Sequence, residues 1–229
     1  MATRSSFPAA ALALLAVAWL GLAQAAQTWT EGSNYEVLAP AQRTQVPAGK
    51  VEVLEVFSYG CPACNLFQPT IAVLQRNLPA RAQMVFLPAA FLPAEDWAVF
   101  QRAYFAAQAL GIAERTHQQI FDAVWETGEL ATVDSDTHRL KNPLPAIEDV
   151  ARCYARLTGV KAEVFLAVAR SAAVDARMKA ADAQIIAMQV PGTPTLVVNG
   201  KYRIVMSAIR SQDDLVDLVN YLVAREAPP

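Results

Sequence analysis

A chain of 229 residues with 54% hydrophobic and only 17% charged side chains can bury one sizeable core and carry a second small lobe. Nineteen Lys and Arg against 21 Asp and Glu give a net charge of −2, which supplies no basic footprint for a nucleic acid or an anionic membrane surface. Three cysteines are too few for a disulfide-stapled scaffold, so the cysteines that occur close together are read for chemistry.

The chain opens with Arg4, an almost unbroken apolar stretch from Ala9 to Ala23, and the small-x-small site Ala23-Gln24-Ala25. This pattern predicts a signal peptide over residues 1–25; the alternative is an uncleaved anchor, for which the stretch is somewhat short. No cysteine follows the site, which argues against a lipid anchor. Beyond it lie 204 residues with a net charge of −3, because the segment removes one basic residue and no acidic one. Export would place the cysteines where a disulfide persists.

Tyr35 to Leu38 reads as a short strand, with Pro40 and Pro47-Ala48-Gly49 marking loop. In the next strand, Val51 to Phe57, the alternation puts Glu55 on one face with Val51, Val53 and Phe57. A carboxyl there is expected to be buried, with a raised pKa suited to proton transfer; the alternative is an edge position from which it reaches water.

Cys61-Pro62-Ala63-Cys64 stands where this strand gives way to a helical run from Asn65 to Arg76. A strand-to-helix junction sets the first cysteine over the helix N-terminus, where unpaired backbone N–H groups favour a thiolate, the species that attacks disulfides. Pro62 falls where a first helical residue tolerates proline. The competing readings are half of a zinc site and an inert structural disulfide, although Cys153, His117 and His138 are scattered and supply no second ligand pair. Pro69 is expected to kink the helix. Gln83 to Leu87 then closes a β-α-β unit.

From Ala94 the pattern is helical for about ninety residues. The runs are a stripe from Trp97 to Leu110, then Ala113 to Trp125, Pro145 to Leu157, Ala162 to Ala169 and Ala173 to Ala187. His117 and His138, outside any cluster, are expected at the surface or as caps. Cys153 flanks an apolar stripe and reads as an unreactive, partly buried thiol, the alternative being pairing between molecules. Val190-Pro191-Gly192-Thr193-Pro194 introduces a hairpin, Thr195 to Val198 and Tyr202 to Val205, around Asn199-Gly200. A last amphipathic helix, Asp213 to Ala224, can cover the sheet.

In this order, Leu54-Glu55-Val56-Phe57-Ser58-Tyr59-Gly60-Cys61-Pro62-Ala63-Cys64 and Gly192-Thr193-Pro194-Thr195-Leu196-Val197-Val198-Asn199-Gly200-Lys201-Tyr202 resemble the DsbA family of periplasmic thiol:disulfide oxidoreductases. The resemblance implies an α/β thioredoxin fold with an inserted all-helical domain. The implied division is residues 26–92 and 185–229 for the thioredoxin fold and 93–184 for the insertion. It further implies that Cys61 is the exposed nucleophile, Cys64 its buried partner, Pro194 a cis-proline facing them and Glu55 the buried acid. The lysine that partners that acid falls near Arg81. Pro62, Ala63 and Thr193 would border the substrate. Where the best-known members carry Pro-His between the cysteines, this chain carries Pro62-Ala63.

The expected activity is donation of the Cys61–Cys64 disulfide to reduced exported proteins in the periplasm, by a monomer without cofactor or metal. A membrane-bound, quinone-linked partner of the DsbB type would reoxidise it. A reductase or isomerase of the same fold, and a non-enzymatic peptide-binding chaperone or metal carrier, are the alternative readings.

Overall fold

The computed structural model describes residues 28–226; the export segment expected over residues 1–25 lies outside them. Five strands form one mixed sheet: β1 Tyr35–Val37, β2 Val51–Phe57, β3 Ala82–Pro88, β4 Thr195–Val198 and β5 Tyr202–Ile204, in the order β1-β5-β4-β2-β3. Between β2 and β3 runs α1 Pro62–Asn77. Between β3 and β4 come α2 Trp97–Ala109, α3 Ala113–Trp125, α4 Ile147–Thr158, α5 Ala162–Ala169 and α6 Ala172–Ala187, and α7 Gln212–Arg225 ends the chain's described part. Among the described residues no helix is long and apolar enough to cross a membrane.

β2 is the central strand and is buried along its whole length. It pairs in parallel with β3 and antiparallel with β4, so both its edges are bonded, and helices cover its two faces. Val51 and Val53 join one apolar cluster with Ile71 and Leu74 of α1 and Leu215, Leu218 and Leu222 of α7. Leu54 and Val56 join a second, with Phe100 and Tyr104 of α2, Ile120 and Phe121 of α3 and Tyr154 of α4. Phe57, at the strand's end, also packs into this second cluster. The alternation of side chains therefore splits the core into a thioredoxin side and a helical side.

Several ends are set by local chemistry. Ser211 accepts from the Asp214 N–H at 3.1 Å and starts α7, with Asp213 and Asp214 in its positive first turn. Helix α1 runs through Pro69 without a break. In the β4–β5 hairpin, Asn199 and Gly200 both take positive φ, as the Asn-Gly pair predicts. Val198 faces Tyr202 across the ladder, so Lys201 joins the loop. Gly200 is also pressed against the chain after β1: a Cβ there would lie 2.2 Å from the Gln42 carbonyl oxygen. From the other side, Glu226 accepts hydrogen bonds from Asn199 (2.7 Å), Lys201 (2.8 Å) and Tyr202 (2.7 Å).

Candidate active site

The strand-to-helix junction after β2 is a short loop, Ser58-Tyr59-Gly60, that delivers Cys61 as the N-cap of α1. The Cys61 N–H donates to the Ser58 carbonyl (3.1 Å), and the Gly60 N–H donates to the Ser58 hydroxyl (3.2 Å). As N-cap, Cys61 uses its sulfur where serine or aspartate would use oxygen: Sγ accepts from the Cys64 N–H at 3.3 Å. Pro62 occupies the first helical position, where a missing N–H costs nothing. Both cysteines are free thiols in this structure.

The second stretch arrives by strand register. Val56 of β2 faces Thr195 of β4, so the antiparallel continuation sets Thr193-Pro194 over the Ser58–Cys61 loop. The Cys61 thiol donates to the Thr193 carbonyl at 3.4 Å, and the Thr193–Pro194 bond is cis. The Thr195 hydroxyl donates to the Gly192 carbonyl at 2.7 Å and ties the loop to its strand. This contact corrects one expectation: Cys61 is only 4% accessible, because the Thr193 loop lies over it. Exposed around it are Pro62, Ala63 and Leu66, the last at 79%.

The electrostatics separate the two thiols. The hydrogen bond with the Cys64 thiol, together with the backbone N–H groups of Cys64 and Ala63, outweighs burial and lowers the Cys61 pKa to about 6. Burial, and the proximity of Cys61 and Glu55, push Cys64 far above the ordinary thiol range. Glu55 is fully buried, and burial followed by the Cys61 charge raises its pKa well above the carboxyl range. Neither of its oxygens has a partner among the described residues. The edge alternative for Glu55 is thereby excluded, and so is a pairing with Arg81, whose guanidinium instead donates to the Val223 carbonyl of α7.

The helical side also reaches the loop before Cys61, a feature that the sequence reading missed. The Trp125 indole donates to the Tyr59 carbonyl at 2.8 Å, and a Cβ on Gly60 would meet the Trp97 ring at 2.7 Å. The Tyr59 hydroxyl pairs with His117 Nδ1 at 3.0 Å. His117 is not the surface or capping residue expected: it lies among Phe57, Phe86, Tyr104 and Phe121, and burial lowers its pKa to about 3. A signal for this was present, since Ala113, Thr116, His117, Ile120, Phe121 and Val124 follow one helical stripe and all are buried. His138 is exposed, with positive φ, and takes no part in the site. Cys153 is fully buried, which leaves its thiol no surface for pairing between molecules. Among the described residues no group of three or more His, Cys, Asp or Glu side chains is placed to hold a metal ion.

The chain matches the family model for the DSBA-like thioredoxin domain over residues 52–220. It is 34% identical over 215 residues to the thiol:disulfide interchange protein DsbA of Pseudomonas aeruginosa, covering 93% of this chain and 94% of that one. Among solved structures it is similar to the oxidoreductase DsbA of Xylella fastidiosa, at 32% identity and a TM-score of 0.73 over 86% of this chain and 97% of that one. It is also similar to DsbA of Pseudomonas aeruginosa, at 33% identity and a TM-score of 0.71, over 86% of this chain and 94% of that one.

Proposed function

The chain belongs to the DSBA-like thioredoxin domain family, and from that premise we propose that it is a thiol:disulfide oxidoreductase that donates a Cys61–Cys64 disulfide to reduced exported proteins in the periplasm. The observation that carries this reading is the unequal pair at the start of α1: one cysteine held as a thiolate by the Cys64 thiol and the helix N–H groups, the other buried and held as a thiol. Whatever stabilises the Cys61 thiolate stabilises the reduced enzyme and so makes its disulfide more oxidising.

A substrate thiolate attacks the Cys61 sulfur, and the Cys61–Cys64 bond breaks as a mixed disulfide forms. Cys64 leaves, and because its pKa is high it must take a proton to leave well. Glu55, protonated by its burial, is the group assigned to give that proton. A second substrate thiolate then attacks the substrate's own sulfur, and Cys61 departs as a stable thiolate. Two electrons have passed from the substrate dithiol to the enzyme. Pro194 and Thr193 face Cys61, and Pro62, Ala63 and Thr193 border the place where the substrate chain lies. A membrane-bound, quinone-linked protein of the DsbB type would return the enzyme to its disulfide form. The lowered Cys61 pKa favours this oxidant reading over the reductase or isomerase alternative.

Cys61→Ser is expected to abolish oxidation of a reduced substrate protein, since a hydroxyl forms no mixed disulfide. Cys64→Ser is expected to accumulate the mixed disulfide, visible on a non-reducing gel. Unchanged oxidation by Cys61→Ser would overturn the assignment. Glu55→Gln keeps shape but cannot release a proton; about a hundred-fold slower oxidation step is expected, the low end of what a positioned acid contributes. A stopped-flow trace with the same rate as the parent protein would remove Glu55 from the mechanism.

A further inference from the structure

β3 is the last strand of the sheet, and its free edge is open. The Val51 N–H donates to the Arg81 carbonyl and the Ala89 N–H to the Phe57 carbonyl, which fixes the parallel ladder. Residues 83, 85 and 87 therefore bond to β2, and the N–H and C=O groups of Met84 and Phe86 point away from the sheet. No described residue outside the ladder bonds to them. None of the usual devices blocks this edge: Gln83 takes the place of a charge, and neither proline nor bulge interrupts residues 83–87.

These outward groups border a cavity of about 610 Å³ between α1 and α3. Its walls carry amides from three elements, Gln75, Gln83 and Gln118, and one carboxylate, Glu114. His117 also lines it, and His117 Nε2 is buried without a partner among the described residues. The cavity shares Gln68, Ala72 and Gln118 with a neighbouring one of about 430 Å³ that reaches Asn65 and Leu66, next to Cys64. One groove thus leads from the catalytic helix start to the edge of β3.

We propose that this groove holds an extended segment of the substrate polypeptide, which adds to β3 as a sixth strand through the outward groups of Met84 and Phe86. The inference rests on the disulfide-donor reading, which supplies an unfolded chain as the occupant. Main-chain pairing and glutamine amides tolerate many sequences, as a donor to many proteins requires, while Glu114, Asp122 and Glu126 along the groove disfavour acidic ones. From Leu66 to Gln75 helix α1 rises about 14 Å, so a tail of about four residues spans that distance and about four more reach along β3.

Two peptides with the same cysteine pair test it, one with three residues beyond the pair and one with ten. With the protein as it stands, the longer peptide is expected to show a KM about five-fold lower. Met84→Pro removes an outward N–H and leaves the β2 ladder whole, and Ala72→Trp fills the groove without touching the strand; each is expected to erase the advantage. Independently, an S-methylated long peptide, which cannot react, is expected to slow hydrogen exchange at Met84 and Phe86, while Gln83, Val85 and Leu87 stay as they were. Equal KM values for the two peptides, or unchanged exchange at Met84 and Phe86 at saturating peptide, overturn the proposal. If neither peptide is oxidised the disulfide-donor reading falls, and the exchange measurement still decides the groove.

Discussion

The first turn of α1 and the middle of α4 each bury a cysteine, at 4% and 0% accessibility, and treat it in opposite ways. Cys61 is lowered to about 6, whereas Cys153 is raised to about 11 by burial and by the nearby Glu129. Burial alone favours the neutral thiol in both places. At Cys61 it is overcome by the hydrogen bond with the Cys64 thiol, joined by donors that have no other acceptor, the first N–H groups of a helix. In the body of α4 such groups are spent on the helix itself, and the one donor within reach, Arg156 at 3.7 Å, is shared with Glu129. The donors beside the sulfur, not depth, therefore decide which thiol is reactive.

The contrast should be largest in alkylation. At pH 7 a thiol of pKa about 6 is mostly thiolate, and one of pKa about 11 is thiolate about once in ten thousand. The reduced, folded protein is expected to take up one equivalent of iodoacetamide, at Cys61; peptide mapping that finds Cys153 labelled at a similar rate would erase the distinction. Ala63→His sharpens it, because an imidazole beside the Cys61 sulfur can donate a hydrogen bond or a positive charge, and a methyl group can do neither. Its thiolate pKa is expected to fall further and its potential to become more oxidising, by about 30 mV for each pKa unit. Thiolate absorbance against pH and a glutathione equilibrium measure the two together, and an unmoved pKa would mean that backbone N–H groups already set the limit. The smallest effect is on stability. The Cys61 pKa is lower folded than unfolded, so its contribution is full above the ordinary thiol pKa and is lost as pH falls through about 6. The disulfide form has no such group. Between pH 9 and 5 the Tm of the reduced form is expected to drop relative to that of the oxidised form, levelling off below about 6; a constant difference by calorimetry would contradict the lowered pKa.

What could be read from the sequence was what neighbours in the chain determine. The CxxC at a strand-to-helix junction, the Asn199-Gly200 turn and the alternation that buries Glu55 all depend on a few adjacent residues. The cover of Thr193 over Cys61 depends on the register between β2 and β4. The same holds for Trp97 against Gly60, Trp125 on the Tyr59 carbonyl and Tyr59 on His117, where each partner comes from a distant helix. Arg81 shows the limit most clearly: the family resemblance puts it at the place of the acid's partner, yet the Val223 carbonyl of α7 takes its guanidinium.

The two neighbours of β2 also differ in when they exist. Val53 pairs with Met84 on one side and with Val198 on the other, about 30 and about 145 residues further along, so the second closure is entropically the dearer. Until β4 arrives, a growing chain carries a complete Cys61–Cys64 pair without the Thr193 loop above it. The third cysteine lies in that interval, in α4, which packs against α2, α3 and α5. The helices that bury Cys153 lie within residues 97–169, a shorter closure than the one that brings Thr193 over Cys61.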